Sequence, residues 1–209
     1  MTNIDLDALD PRDRYKLLTA IVVPRPVAWV TTVSEEGVTN AAPYSFFNLF
    51  GQDPALVVLG IERHEDGRPK DTARNIDRGR TFVVNILTPA LAEQMVATAA
   101  SYDPRSSEID ALGLATVPSA TVDCPRLADA PAAIECRHKL TLSFGPERDL
   151  VIGEAIGLHA RHGLVDMRNM HVDWQGDWPI ARLFADRYAR LEEIERRKIP
   201  DLAGGARIG

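Results

Sequence analysis

Short apolar runs broken by clusters of turn residues set the pattern of this chain. Trp29 to Thr39 reads WVTTVSEEGVT, two apolar, threonine-rich arms around a turn at Glu35-Glu36-Gly37, and predicts a β-hairpin. The second arm runs on as NAAPYSFFN, from Asn40 to Asn48. Pro43 within it has no N–H for a ladder and so belongs at an edge or a bulge. Rings, a hydroxyl and an amide then follow in a row, which reads either as a barrel corner or as a strand shaped around a flat, polar-edged ligand. ALVVLGI, Ala55 to Ile61, is a continuous apolar run between Asp53-Pro54 and charged residues, and predicts a buried strand. TFVVNIL predicts another. AAIECRHKLTLSF, the turn GPERD and LVIGEAIGLHARH predict a long hairpin.

Helical period is confined to short pieces. Asp10 as cap and Pro11 in the first turn open a helix over RDRYKLLTAI. DTARNIDRG predicts a second, capped at Asp71 or Thr72 and stopped at Gly79, and TPALAEQMVATAA a third, with Thr88 as cap and Pro89 just inside. A terminal helix is expected from about Arg187 to Lys198, where RYARLEEIERRK interleaves arginine and glutamate at helical spacing. Turn residues crowd Ser101 to Ala130, where no element is assigned. A tryptophan-marked connection follows His171, and AGGARIG reads as a loose tail. Many strands with short helices between them, and no regular β-α-β alternation, favour a mainly β (α+β) antiparallel barrel over a doubly wound sheet.

At 209 residues the chain suits one domain able to bury a proper core. A net charge of −6 with scattered basic residues argues against a nucleic-acid partner. No apolar run approaches membrane-spanning length, and the acidic MTNIDLDALDP is unlike a signal peptide, so no membrane partner and a cytoplasmic location are expected. Cys124 and Cys136 lack C-x-x-C spacing, and two buried thiols are expected rather than a disulfide.

Among chemistry-bearing stretches, GRPKDTARNI carries the best local signal. A polar loop ends in lysine at a helix start, where unpaired N–H groups and the positive end of the dipole make an anion site. In that reading Asp71 caps the helix while Lys70 and Thr72 face the anion. The same residues also read as a capped surface helix with a solvated lysine. G-x-G-x-x-G before a helix, G-x-x-x-x-G-K-[ST] and G-x-S-x-G are all missing, which removes the usual dinucleotide, P-loop and simplest hydrolase readings. His159 and His162 are three apart in a strand, on opposite faces, and His64 and His138 lack ligand-spaced partners, so no metal is expected. An anion loop and an aromatic, polar strand together suit a ligand with a phosphate at one end and a flat ring at the other. FMN and pyridoxal phosphate are both of that kind.

These residues resemble the flavin reductase-like family of FMN-binding split barrels. The resemblance lies in VPRPVAWVTT, NAAPYSFFN, DPALVVLGIER, KDTARNI and FVVNI, and more loosely in PRLADAPAAIECR, LVIGEAIGLH and ARLFADRY, from about Tyr15 to Tyr188. It implies a split-barrel domain over 21–184, a helical lead-in over 1–20, and a C-terminal helix and tail over 185–209. It implies FMN, with FAD as an alternative, and NADH or NADPH as a transient co-substrate. Family members include reductases that supply reduced flavin to partner monooxygenases and flavoredoxin-like electron carriers, typically homodimers with flavin near the interface. Carried onto this chain, the resemblance puts Lys70, Asp71 and Thr72 in the phosphate loop and Ala42, Pro43, Tyr44 and Ser45 along the flavin. Gly60, Ile61 and Arg63 close the next strand, with Asn40, Trp29, Asn48 and Phe184 as further neighbours. His159 is held as a candidate catalytic residue, although hydride transfer requires no side-chain acid or base. A pyridoxamine-phosphate-oxidase-like barrel is disfavoured by the motif order. The segment SYDPRSSEIDALGL is more charged than the family's mobile cover, which leaves open what sits over the flavin.

Overall fold

The structure is a computed structural model and describes residues 1–103, 105–195 and 197. In chain order, helix α1 (Pro11–Ile21) leads into strands β1 (Arg25–Pro26), β2 (Ala28–Val33), β3 (Thr39–Tyr44), β4 (Phe47–Leu49) and β5 (Leu56–Glu62). Then come α2 (Asp71–Gly79), β6 (Thr81–Ile86), a 3₁₀ turn (Pro89–Leu91), α3 (Ala92–Ala97), α4 (Glu108–Ala111), β7 (Thr116–Val117) and β8 (Arg126–Leu127). The long hairpin of β9 (Ala132–Ser143) and β10 (Arg148–Ala160) is followed by four two-residue strands. These are β11 (Val165–Asp166), β12 (His171–Val172), β13 (Ala181–Arg182) and β14 (Tyr188–Ala189).

Seven strands form one antiparallel sheet in the order β3-β2-β6-β9-β10-β5-β4. Its curl follows from the core. Ala28 and Val30 of β2 share a buried cluster with Val57, Leu59 and Ile61 of β5, although three strands separate them in the sheet. Only a sheet rolled towards a barrel brings those side chains together. Helix α2 closes the inside with Ala73 and Ile76. Alternation then sends Val27 and Trp29 to the opposite face, where they pack with Leu87, Met95, Ile109 and Ile180 under the 3₁₀ turn, α3 and α4. Gly153 is required by this packing, because a Cβ there would lie 2.5 Å from Phe82 Cζ.

Local chemistry explains the elements. Asp10 Oδ1 accepts from Asp13 N at 3.0 Å, the cap that opens α1. The Ser34–Val38 turn closes the β2–β3 hairpin, with Ser34 N donating to Val38 O at 2.9 Å and Gly37 at φ +82°. Both cysteines are buried and free. Among the described residues no helix is long and apolar enough to cross a membrane.

Three expectations are corrected. The helix expected from Arg187 is absent over residues 187–195, which hold β14 and otherwise irregular chain; residues 196 and 198 lie outside the described residues, as does the AGGARIG tail. Charge pairs at helical spacing are weak without an apolar face to bury, and Ile194 is 89% exposed. The third helix is shorter than expected, a 3₁₀ turn running into α3 and ending at Ala97. Conversely, the segment left unassigned between Ser101 and Ala130 contains α4, β7 and β8.

Candidate functional site

A cleft of about 390 Å³ opens where the edge of the sheet meets the start of α2. Strand β3 ends the sheet, so its outer rim has no ladder to complete. Pro43, in register with Trp29, therefore sits where a missing N–H costs nothing, and the residues beside it turn into the cleft. Asn40, Ala42, Pro43, Tyr44 and Ser45 all line it. Gly60 forms the adjoining wall: its N–H donates to Phe46 O at 2.7 Å, and a Cβ there would lie 2.9 Å from Phe46 Cβ. Arg148 covers Phe46, with Cζ 4.3 Å from the ring centroid, and donates to Gly60 O at 2.9 Å and Glu62 Oε1 at 2.6 Å.

The opposite end is the first turn of α2. Its cap is Lys70, ahead of the expected Asp71 or Thr72, and the Lys70 side chain makes no capping hydrogen bond to the first turn. Asp71 lies inside the helix, where Oδ1 is 2.6 Å from Arg74 Nη2 without hydrogen-bond alignment. This corrects the reading of Asp71 as the cap. An aspartate in the first turn is favoured by the helix dipole and the i,i+3 arginine, so capping is not needed to explain it. Lys70 is half-exposed, and its only near carboxylate among the described residues is Glu62 Oε2 at 4.0 Å.

Between these ends runs a buried polar floor. Glu108 accepts from Asn40 Nδ2 at 2.9 Å on each carboxylate oxygen and from Ala41 N at 3.2 Å. Asn40 Oδ1 accepts from Thr72 Oγ1 at 2.9 Å and Thr32 Oγ1 at 3.2 Å. Thr72 is thus buried with its hydroxyl committed to Asn40, and meets the cleft as support rather than as a free donor to an anion. Burial first, with the charges of Glu108, Glu62 and Asp71 adding to it against the opposing Thr72 hydroxyl, pushes the Tyr44 phenol well above its ordinary value and keeps it a neutral donor.

Of the candidate residues, Asn40, Ala42, Pro43, Tyr44, Ser45, Gly60, Lys70, Asp71 and Thr72 come together at the cleft. The others do not line it. Trp29 is buried in the second core and donates to Thr98 Oγ1 at 3.0 Å, behind the cleft wall. Ile61 is fully buried in the first core. Arg63 pairs with Asp149 at 2.8 Å and holds Gly67 O at 2.9 Å, which ties down the loop leading to Lys70. Asn48 and Phe184 are exposed. His159 lies elsewhere, its Nε2 bonded to Glu135, whose carboxylate also takes Ala120 N at 2.7 Å, Thr121 N at 2.6 Å and the Thr121 hydroxyl. Burial raises the Glu135 carboxyl, but the Thr121, Ala120 and His159 hydrogen bonds outweigh it and bring the pKa down to about 2.

Sequence reasoning missed Glu108, Arg148, Arg182, Tyr188 and the Thr98–Tyr102 segment, all of which line the cleft. The unusual charge of the segment containing Glu108 was the one available signal. The residues present fit a phosphorylated ring ligand: the volume falls in the range of small-molecule sites, one end offers N–H groups with a lysine, and the middle is ring-lined with polar edges.

Residues 21–176 match the family model described as flavin reductase like domain. The chain belongs to the flavin reductase-like family. Among solved structures, 2-nitrobenzoate 2-nitroreductase NbaA of Pseudomonas fluorescens superposes with TM-score 0.86 at 35% identity, covering 100% of each chain. Nitrilotriacetate monooxygenase component B of Bacillus cereus superposes with TM-score 0.89 at 34% identity, covering 94% of this chain and 98% of that one. An uncharacterised protein of Deinococcus radiodurans is 45% identical over 177 residues, 82% of this chain and 78% of its own. A flavin reductase-like split barrel is therefore the fold of this chain, as its motifs implied.

Proposed function

We propose that this flavin reductase-like protein binds FMN in the cleft and is an NAD(P)H:flavin oxidoreductase. One observation carries the reading: the uncapped first turn of α2 with Lys70 and the ring-lined rim of β3 face one cleft of about 390 Å³. A bound flavin would supply the redox chemistry, accepting hydride from nicotinamide C4 at its N5. The chain's own residues bind, orient and shield. Lys70 and the α2 N–H groups hold the phosphate, with FAD accepted only if its second half extends outward. Tyr44 and Ser45 present hydroxyls to the ring, while Phe46 under Arg148 closes the wall. Hydride transfer needs position and exclusion of water rather than proton abstraction, so the carboxylates, His64 and hydroxyls that line the cleft need not act as acid, base or nucleophile.

Relatives named as a nitroreductase and as a monooxygenase component support an oxidoreductase that passes electrons onward, here to a partner monooxygenase or redox protein. A homodimer and a cytoplasmic setting complete the reading. Phe50 at 66% exposure and Leu49 beside it give β4 an uncovered apolar end suited to a second copy. Phe46 and Phe47 do not extend that end, since Arg148 covers the Phe46 ring and Phe47 packs against the first core. Aerobic oxidation of NADH and NADPH, with and without added FMN, tests the proposal. Turnover that depends on flavin is expected. A yellow protein that reacts with neither nicotinamide would replace the reductase with a flavoredoxin-like electron carrier.

A further inference from the structure

The cleft wall behind Ser45 contains a charge that hydride transfer alone does not explain. Arg25 is only 8% exposed. Its Nη1 donates to Thr19 O at 2.6 Å and Val22 O at 2.8 Å, its Nη2 to Leu183 O at 2.7 Å, and its Nε reaches Ser45 Oγ at 3.5 Å. Carbonyls satisfy the donors but bring no net negative charge. Among the described residues no carboxylate lies within ion-pair distance of Arg25. Its register partner across the β1–β13 pair is a second arginine, Arg182, which lines the cleft, donates to the Tyr188 hydroxyl at 2.6 Å and likewise has no carboxylate among the described residues. Like charges directly opposite destabilise a strand pair, and a buried cation without a counter-ion is costly. Burial, opposed by Tyr15 and helped by the smaller effect of Arg182, holds Arg25 below the ordinary guanidinium value, yet a guanidinium stays charged. The carboxylates that line the cleft are engaged elsewhere, Glu62 with Arg148, Asp71 with Arg74 and Glu108 with Asn40, so a negative charge to match Arg25 and Arg182 would have to arrive with the ligand.

We propose that Arg25 is a positioning residue which, acting through Ser45 and reinforced by Arg182, makes the cleft bind reduced flavin more tightly than oxidised flavin. The inference rests on the flavin reading above. A flavin that has accepted a hydride carries one more negative charge than before, and fixed positive charge beside its ring favours that state. Arg25 Nε lies 3.5 Å from the Ser45 oxygen, so the guanidinium faces that oxygen and the Ser45 hydroxyl can donate into the cleft that it lines. Arg182 adds charge from the open side. In a partly buried site such charges act more strongly than in water.

The test compares dissociation constants for oxidised FMN and for dithionite-reduced FMN, measured anaerobically on the full chain. Wild type should prefer the reduced form. In Arg25→Gln that preference should fall about tenfold, or ~1.4 kcal/mol, while Arg25→Lys should keep most of it. Ser45→Ala, which leaves the buried guanidinium in place, should lose part of the preference with an unchanged circular dichroism spectrum. It decides the matter, together with Arg182→Gln, if Arg25→Gln fails to fold. Equal preference in wild type and in the folded charge-removing variants would overturn the inference while leaving the flavin site standing. A wild-type protein that binds neither form would instead remove the flavin reading and this inference with it.

Discussion

Two buried glutamates, Glu108 and Glu135, show what separates a site from scaffolding in this fold. Glu135 is closed on itself: two backbone N–H groups, the Thr121 hydroxyl and His159 surround its carboxylate, and the bonded groups pin the 120–121 loop to β9. Glu108 is also buried, but its partners are one amide and one backbone N–H, and it lines the cleft. A carboxylate has room for about four hydrogen bonds, so Glu135 is saturated by the protein while Glu108 keeps accepting capacity beside a cavity. A buried charge by itself therefore marks nothing. Its unmet bonding, aimed into space large enough for a ligand, is what points to function.

The largest effect that would test this contrast is on stability. Glu135→Ala strands buried donors from Ala120, Thr121 and His159, and should destabilise by about 3–5 kcal/mol, read from urea unfolding. FMN affinity of the folded fraction should stay the same, and a large loss of affinity would mean the two clusters are not independent. The same residue sets an acid limit. Its pKa is lowered from 4.5 to about 2 in the fold, so its contribution is full above 4.5 and is lost as pH falls through about 2. Wild type should accordingly lose stability over that window more steeply than Glu135→Gln.

Next in size is Lys70→Ala. A lysine contact to phosphate is worth roughly 1.5–3 kcal/mol, so FMN should bind about ten- to a hundredfold more weakly, and riboflavin should hardly change. Fluorescence quenching measures both. Equal losses for the two flavins would assign Lys70 to the fold. The smallest effect expected is that of His159→Phe on chemistry. It removes one of several bonds to Glu135 and should cost about 1 kcal/mol of stability, while stopped-flow flavin reduction stays at the wild-type rate. A slowed reduction would bring His159 to the site from a neighbouring copy.

The parts of the fold legible in the sequence were those set by neighbouring residues. Alternation and turn chemistry marked the β2–β3 and β9–β10 hairpins, the run at Ala55 to Ile61 marked β5, and Pro43 announced an edge. What stayed hidden depends on distant chain. Arg148 reaches Phe46 only because the sheet curls, and Arg182 reaches the cleft through a two-residue strand with no pattern of its own. The family resemblance put Ile61 and Arg63 at the site beside Gly60, but successive strand residues face opposite ways, so Ile61 enters the core, and Arg63 turns to Asp149. The terminal helix failed for the converse reason, a local charge pattern without a surface to pack on.

The central claim is that one cleft holds the phosphate at α2 and the ring along β3. A crystal structure of the protein grown with FMN tests it most directly. The account predicts the phosphate on the first-turn N–H groups of α2 within hydrogen-bond distance of Lys70 Nζ, and the ring against Pro43, Tyr44 and Ser45. A phosphate bound away from α2, or a ring lying beside Glu135 and His159, would contradict it.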